Sequence, residues 1–156
     1  MRGLAVRRFV GVAAIVFLTS GASAAGWTAQ MQEDEGGEVM TASVTGEGPG
    51  EFPPMLSMTC GEEVNLRYLM AGSEGDLDET ADFVLASEAE EVTLSMQYEA
   101  FDGAFAAYFG RTDPVLALLK GGKDLLLTNP AGKYPPQTFT LEGSSDAIDT
   151  LLDSCL

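Results

Sequence analysis

Residues 137–156 read QTFTLEGSSDAIDTLLDSCL and combine a strand, a turn and a short helix. Phe139 and Leu141 lie two residues apart, so the pattern predicts that both side chains occupy one face of a strand. Gly143 then interrupts the strand, because glycine is the residue best suited to a sharp change of direction. This segment is therefore expected to close the domain, with a helix following its last strand.

The helix has capping signals and one apolar face. Ser144 or Ser145 can accept from the free N–H groups of the first turn, and Asp146 lies where the helix dipole favours a negative charge. The apolar positions follow helical spacing and are Ala147, Ile148, Leu151, Leu152 and Cys155. The Cys155 thiol is therefore expected to point at the core.

The chain contains two cysteines, Cys60 and Cys155, and no histidine. Two cysteines in an exported protein most simply form one disulfide. A metal-binding or catalytic role for the two cysteines would need further ligands, and the chain has no histidine to supply them. The prediction is a Cys60–Cys155 disulfide, with no catalytic, cofactor-binding or metal-binding residue.

The first residues resemble an export signal. Three arginines within the first eight residues precede an uncharged apolar run at 9–18, and the small residues ASA follow at 22–24. The run is shorter than the ~20 residues that cross a bilayer, so no membrane anchor is expected after cleavage. The prediction is a signal peptide at 1–24, a single disulfide-closed domain at 25–156, and a periplasmic or secreted location.

The remaining chain is strongly acidic. Three of the eight basic residues lie in the leader and none of the 24 acidic residues does, so the mature chain has a net charge of −19. Such a charge argues against nucleic-acid and anionic-membrane binding, since both need basic surfaces. It suits solubility or attraction to a cationic partner.

Alternating apolar residues predict a mainly β (α+β) fold. The predicted strands lie at 39–45, 55–60, 64–70, 82–87, 92–98, 104–109, 125–128 and from 137. A short helix is expected at 115–120, capped by Asp113 with Pro114 first. Turns or loops are expected at 32–38, 46–54, 72–80 and Asp102-Gly103. The order fits an antiparallel β-sandwich or partly open barrel, with two short late helices covering one end.

Two further patterns raise binding sites as alternatives. Asp76, Asp78 and Thr80 have the spacing of early calcium ligands, but Ala81 and Ser87 stand where an EF-hand needs Gly and Glu. A solvated acidic turn is the preferred interpretation, and calcium binding stays open. The aromatic residues near 105–109 could line a ligand groove, although core packing is their usual role.

Catalysis is not indicated. Without histidine, Ser-His-Asp and Cys-His nucleophiles and histidine-ligated zinc sites are excluded. No phosphate-binding or dinucleotide-binding glycine pattern occurs. Carboxylate-only chemistry remains formally open, but the acids cluster in polar turns. The prediction is a non-enzymatic protein without a cofactor.

Several segments resemble small periplasmic proteins of Gram-negative bacteria: Trp27 near the mature start, LSMTC at 56–60, VLALLKGGKDLLL at 115–127 and FTLEGSSDAIDTLLDSC at 139–155. The ending is similar to VasI-like type VI secretion accessory proteins and to invasion-associated locus B proteins. The resemblance implies an exported interaction or accessory module of the cell envelope or a secretion system, with an unknown protein partner. The alternative is an acidic inhibitor or scavenger of a cationic partner such as lysozyme.

Overall fold

A computed structural model describes residues 26–34, 36–48, 52–70 and 74–155. The predicted leader at 1–24 and parts of the predicted loops at 46–54 and 72–80 lie outside these residues. The elements are, in order, β1 (Thr28–Asp34), β2 (Gly37–Thr45), β3 (Met55–Cys60), β4 (Val64–Leu69), β5 (Thr80–Ala86), β6 (Glu91–Glu99), β7 (Ala104–Phe109), α1 (Pro114–Lys120), β8 (Asp124–Thr128), β9 (Gln137–Thr140) and α2 (Ser144–Asp153).

The strands within the described ranges form one nine-stranded sheet in the order β1-β2-β3-β4-β7-β6-β5-β8-β9. Every neighbouring pair is antiparallel. The predicted mainly β fold with two short late helices is confirmed. Strands β1 and β9 are the two edges of this sheet.

The sheet curves around a single core. Tyr68 in β4 and Phe139 in β9 are five strands apart along the sheet, which would separate them by about 24 Å if the sheet were flat. Their ring centroids are only 6.1 Å apart. The two halves of the sheet therefore face each other, as the predicted sandwich or partly open barrel requires.

The inner face carries the apolar residues that the alternation predicted. In β6, Met96 and Tyr98 are buried, while the intervening side chains of Ser95 and Gln97 are exposed. The largest fully buried side chains are Tyr68, Phe83, Phe105, Phe139, Leu56, Met58, Leu66, Leu85, Met96, Leu118, Leu119 and Leu125. Removal of this apolar surface from water is the main favourable term in folding.

The disulfide forms as predicted. Cys60 ends β3 and Cys155 follows α2, and the two residues are bonded with their Cα atoms 5.3 Å apart. Helix α2 packs against β1, β2 and β3, with Ala147, Ile148 and Leu151 buried. The C-terminal helix is thereby held against the sheet by packing and by a covalent bond.

The two helices begin differently. In α1 the Asp113 carboxylate accepts from the backbone N–H of Val115 at 3.0 Å, as the sequence predicted. The predicted serine cap of α2 is wrong, because Gly143 occupies the cap position with φ 76° and no side chain caps the helix. The chain passes from β9 into α2 so abruptly that Ser144 is already buried in the first turn.

The predicted acidic turn at 32–38 is also wrong. Strand β1 continues to Asp34 and β2 begins at Gly37, so most of this segment lies in the two paired strands of a hairpin and the turn itself is short. Gly37 has φ 115°, a conformation that glycine adopts without strain. The hairpin lacks an apolar signal in β1 because nearly all side chains of that strand are exposed.

Candidate functional site

Strand β9 presents one edge of its backbone away from its neighbour. Leu141 N–H donates to the Lys123 carbonyl at 2.7 Å, which places the groups of Leu141 on the β8 side. In an antiparallel pair, alternate residues point toward and away from the partner strand. The backbone groups of Thr138 and Thr140 therefore point away from β8.

These outward groups are only partly satisfied. The Thr140 carbonyl accepts from the Trp27 indole N–H at 3.0 Å, and the Thr138 carbonyl lies 3.5 Å from the Gln137 amide nitrogen. The N–H groups of Thr138 and Thr140 have no protein partner among the described residues. With respect to the described residues, the edge of β9 thus retains free donors.

The chain after β2, at Gly46 and Glu47, lies opposite the free edge of β9, and the two form the walls of a gap. The Gln137 side chain donates to the Glu47 carbonyl at 2.8 Å and so bridges the gap between the walls. Gly46 lies against the ring of Phe139, where an added Cβ would come within 2.9 Å of a ring carbon. Only glycine allows this close approach, which seals the inner side of the gap.

On the outer side the gap opens into a cavity of about 670 Å³, which we call the β9 groove. Its lining residues are Gly46, Glu47, Asp124, Pro136, Gln137, Thr138, Thr140 and Glu142. Three of them are carboxylates, and all three are exposed. Lys123 borders the adjoining surface with Asp124 and Glu142. The groove therefore combines unpaired backbone donors with negative charge.

One end of the β9 groove is fixed by the start of the domain. Trp27 N–H donates to the Glu142 carbonyl at 2.8 Å, and the Trp27 indole is buried. Gly143 lies beneath this segment, since an added Cβ would be 3.0 Å from the Trp27 carbonyl oxygen. The C-terminal end of β9 is thus held in place even though its edge is open.

Asp76, one of the predicted calcium candidates, belongs to an ion-pair cluster with Lys133. The Lys133 ammonium lies 2.8 Å from both Asp76 and Glu79, and the Tyr134 hydroxyl donates to Glu79 at 2.7 Å. The pKa of Glu79 falls to about 2, because Lys133, the Asp76 N–H and the Tyr134 hydroxyl all hydrogen-bond to its carboxylate. Asp76 and Glu79 therefore tie the acidic loop to residues after β8.

In the part of the chain that the structure describes, no three His, Cys, Asp or Glu side chains are grouped so as to hold a metal. The aromatic residues considered as a ligand groove do not share one environment. Phe105 and Phe109 are buried in the core, whereas Tyr108 is exposed and donates to Glu99 at 2.7 Å. Core packing, the preferred interpretation, accounts for the two phenylalanines.

The sequence did not single out the β9 groove. The sequence predicted that Phe139 and Leu141 share one face of the last strand, but nothing local marks β9 as an edge. Gln137 and Glu47 are 90 positions apart. Gly46 could have indicated the groove, because a glycine directly after β2 allows the chain to approach an aromatic ring closely, as it does at Phe139.

No family model, curated protein or solved structure matches the chain. The resemblance to VasI-like and invasion-associated locus B proteins therefore stays a prediction. None of the helices in the described ranges has the length and apolar character needed to span a membrane.

Proposed function

We propose that this protein is an exported, non-catalytic binding module that acts in the cell envelope or in a secretion system. The observation that carries the proposal is the open edge of β9 inside an acidic groove. Exposed strand edges are usually protected by charge, proline or covering elements, since they invite pairing with other chains. An edge that is fixed at its C-terminal end and open along its centre is suited to a protein partner.

Export is supported by the covalent structure. The Cys60–Cys155 disulfide joins two residues that are 95 positions apart in the chain and so closes most of the domain. Structural disulfides persist in oxidising compartments such as the bacterial periplasm and are rare in the cytosol. The leader-like sequence at 1–24 agrees with this location.

A binding role without chemistry is supported by the character of the groove. Its side chains are carboxylates, threonines, a glutamine and a proline, and the chain contains no histidine.

The test is to express the full chain, fractionate the cells and use the purified mature protein to capture partners from envelope extract. We expect an oxidised, processed protein outside the cytosol and a partner that free mature protein displaces in proportion to its concentration. A cytosolic protein with two free thiols would contradict the export proposal. Retention that excess free protein does not reduce would contradict specific binding.

A second candidate is an acidic inhibitor of a cationic enzyme, which the net charge of −19 after cleavage favours. Electrostatic attraction of this kind speeds association and weakens as salt increases. Titration of lysozyme activity with the mature protein at low and high salt tests this candidate. Unchanged lysozyme activity at every ratio would remove it.

A further inference from the structure

We propose that the β9 groove binds an extended, lysine- or arginine-bearing segment of a partner protein, which pairs with β9 as an additional strand. This inference rests on the proposed binding function and specifies the site and the chemistry of the partner.

The backbone of β9 provides the pairing groups. The N–H groups of Thr138 and Thr140 point into the groove without a protein partner among the described residues. The Thr138 carbonyl has only the long contact from Gln137, at 3.5 Å. An extended segment can satisfy these groups at alternate positions, as a neighbouring strand does.

The Gln137 side chain marks the path of that segment. Its amide nitrogen donates to the Glu47 carbonyl at 2.8 Å and lies near the Thr138 carbonyl. This amide lies between the two walls and approaches a carbonyl on each of them. The peptide N–H groups of an incoming strand would occupy the same place. The incoming segment displaces the side chain and takes over both acceptors.

Charge selects the side chains of the segment. Glu47 lies on one wall, and Asp124 and Glu142 lie on the other. Side chains of an added strand alternate between faces, so every second residue would extend over the outer face between these carboxylates. Lys123 occupies the adjoining surface, so we expect the basic residues to lie toward the Glu47 wall.

The other edge is a poorer match for a basic segment. Strand β1 is exposed along most of its length. The pocket beside it also contains three carboxylates, Glu33, Asp34 and Asp102, but Arg67 lies among them and pairs with Asp102. Among the described residues, the lining of the β9 groove contains carboxylates and no basic side chain.

Synthetic peptides test the inference on the oxidised mature protein. One peptide alternates Lys with Val, a second has the same charge but carries Pro at positions that would donate to β9, and a third replaces Lys with Glu. We expect the first peptide to bind at least about tenfold more tightly than the second, since lost backbone hydrogen bonds weaken pairing. Binding should protect the amide protons of Thr138 and Thr140 from exchange.

Two variants locate the interaction. Thr138→Pro removes a free N–H on an edge, where proline leaves the β8 pairing intact, and Thr138→Val keeps that N–H as the control. We expect about tenfold weaker binding of the Lys-Val peptide by the proline variant alone. If Thr138→Pro fails to fold, the charge variant E47Q/D124N/E142Q replaces it, with E62Q/E63Q/E91Q as the control of equal charge.

Equal binding of the first two peptides would overturn strand pairing, because attraction to an acidic protein would then suffice. Exchange protection in β1, binding of the Glu peptide, or no binding of the Lys-Val peptide would each overturn the inference. Failure here is distinct from failure of the proposed function. An envelope partner that Thr138→Pro still captures would leave the binding module in place and move its site.

Discussion

At the scale of single residues, Gly143 carries the change of direction between β9 and α2. Its φ of 76° lies in the left-handed region, and a Cβ would be 3.0 Å from the Trp27 carbonyl oxygen. We expect Gly143→Ala to reduce the free energy of unfolding by about 1–3 kcal/mol, because the left-handed conformation and the close contact both oppose a side chain. Urea unfolding followed by Trp27 fluorescence measures the effect.

Gly110→Ala is the matched control. A Cβ at Gly110 meets nothing within 4 Å, and the residue has no positive φ. We expect this variant to be as stable as the parent protein or slightly more stable. If the two alanine variants lost equal stability, the turn at Gly143 would not be the constrained feature described above.

The ion pair of Glu79 predicts a pH dependence of stability. Its carboxyl pKa is about 2 in the folded protein against an ordinary value of 4.5, with the Lys133 hydrogen bond as the largest cause. A lowered pKa gives stability that is present above the ordinary value and is lost as pH falls toward the folded value. We therefore expect acidification from about pH 5 to pH 2 to lower the melting temperature of the parent more than that of Glu79→Gln.

Glu91→Gln provides the comparison, since Glu91 is exposed and its side chain makes no hydrogen bond or ion pair with another described residue. On acidification, the melting temperature of this variant should fall by as much as that of the parent protein. Circular dichroism melts at several pH values supply the data. Parallel losses in all three proteins would show that the Lys133 interaction contributes nothing over this range.

At the scale of elements, the disulfide joins α2 to the end of β3. Closing a loop of this length is worth roughly 4–5 kcal/mol in the chain-entropy model. We expect reduction, or the double substitution C60A/C155A, to lower the free energy of unfolding by about 2–5 kcal/mol. Urea unfolding with and without reductant measures this, and the double variant should not respond to the reductant. Equal stability of oxidised and reduced protein would contradict the expectation.

The elements show what local pattern can and cannot predict. Strands β3 and β7 were predicted at 55–60 and 104–109, the bounds that the structure has. Apolar residues alternate in β3, whereas β7 was indicated by the Asp102-Gly103 turn signal and the aromatic residues that follow it. Strand β1 was missed because its pairing with β2 depends on backbone hydrogen bonds, while its side chains stay in water. A strand without a buried face leaves no alternation in the sequence.

Strand order and the β9 groove lie beyond local pattern for another reason. Strand β4 pairs with β7, and β5 pairs with both β6 and β8, so the sheet depends on contacts between distant segments. No residue of β9 indicates that only one side of that strand is paired. The disulfide was predictable because two cysteines leave one intramolecular pairing.

At the scale of the whole molecule, net charge and local ion pairs act in opposite directions. The complete chain has 8 basic and 24 acidic residues, so acidic residues outnumber basic ones three to one. The described ion pairs involve Arg67, Lys120 and Lys133 and lie at partly exposed positions. Exposed pairs contribute about 0–1 kcal/mol each, whereas repulsion among unpaired carboxylates acts over the whole surface.

The dependence of stability on salt shows whether the ion pairs or the repulsion among carboxylates has the larger effect. Raising ionic strength from about 0.01 M to 1 M shortens the screening length from about 30 Å to 3 Å, which removes repulsion between distant carboxylates. We expect the melting temperature of the mature protein to rise with sodium chloride. The variant E62Q/E63Q/E91Q lacks three exposed carboxylates, so its rise should be smaller. A melting temperature that falls with salt would mean that the few ion pairs outweigh the excess of negative charge.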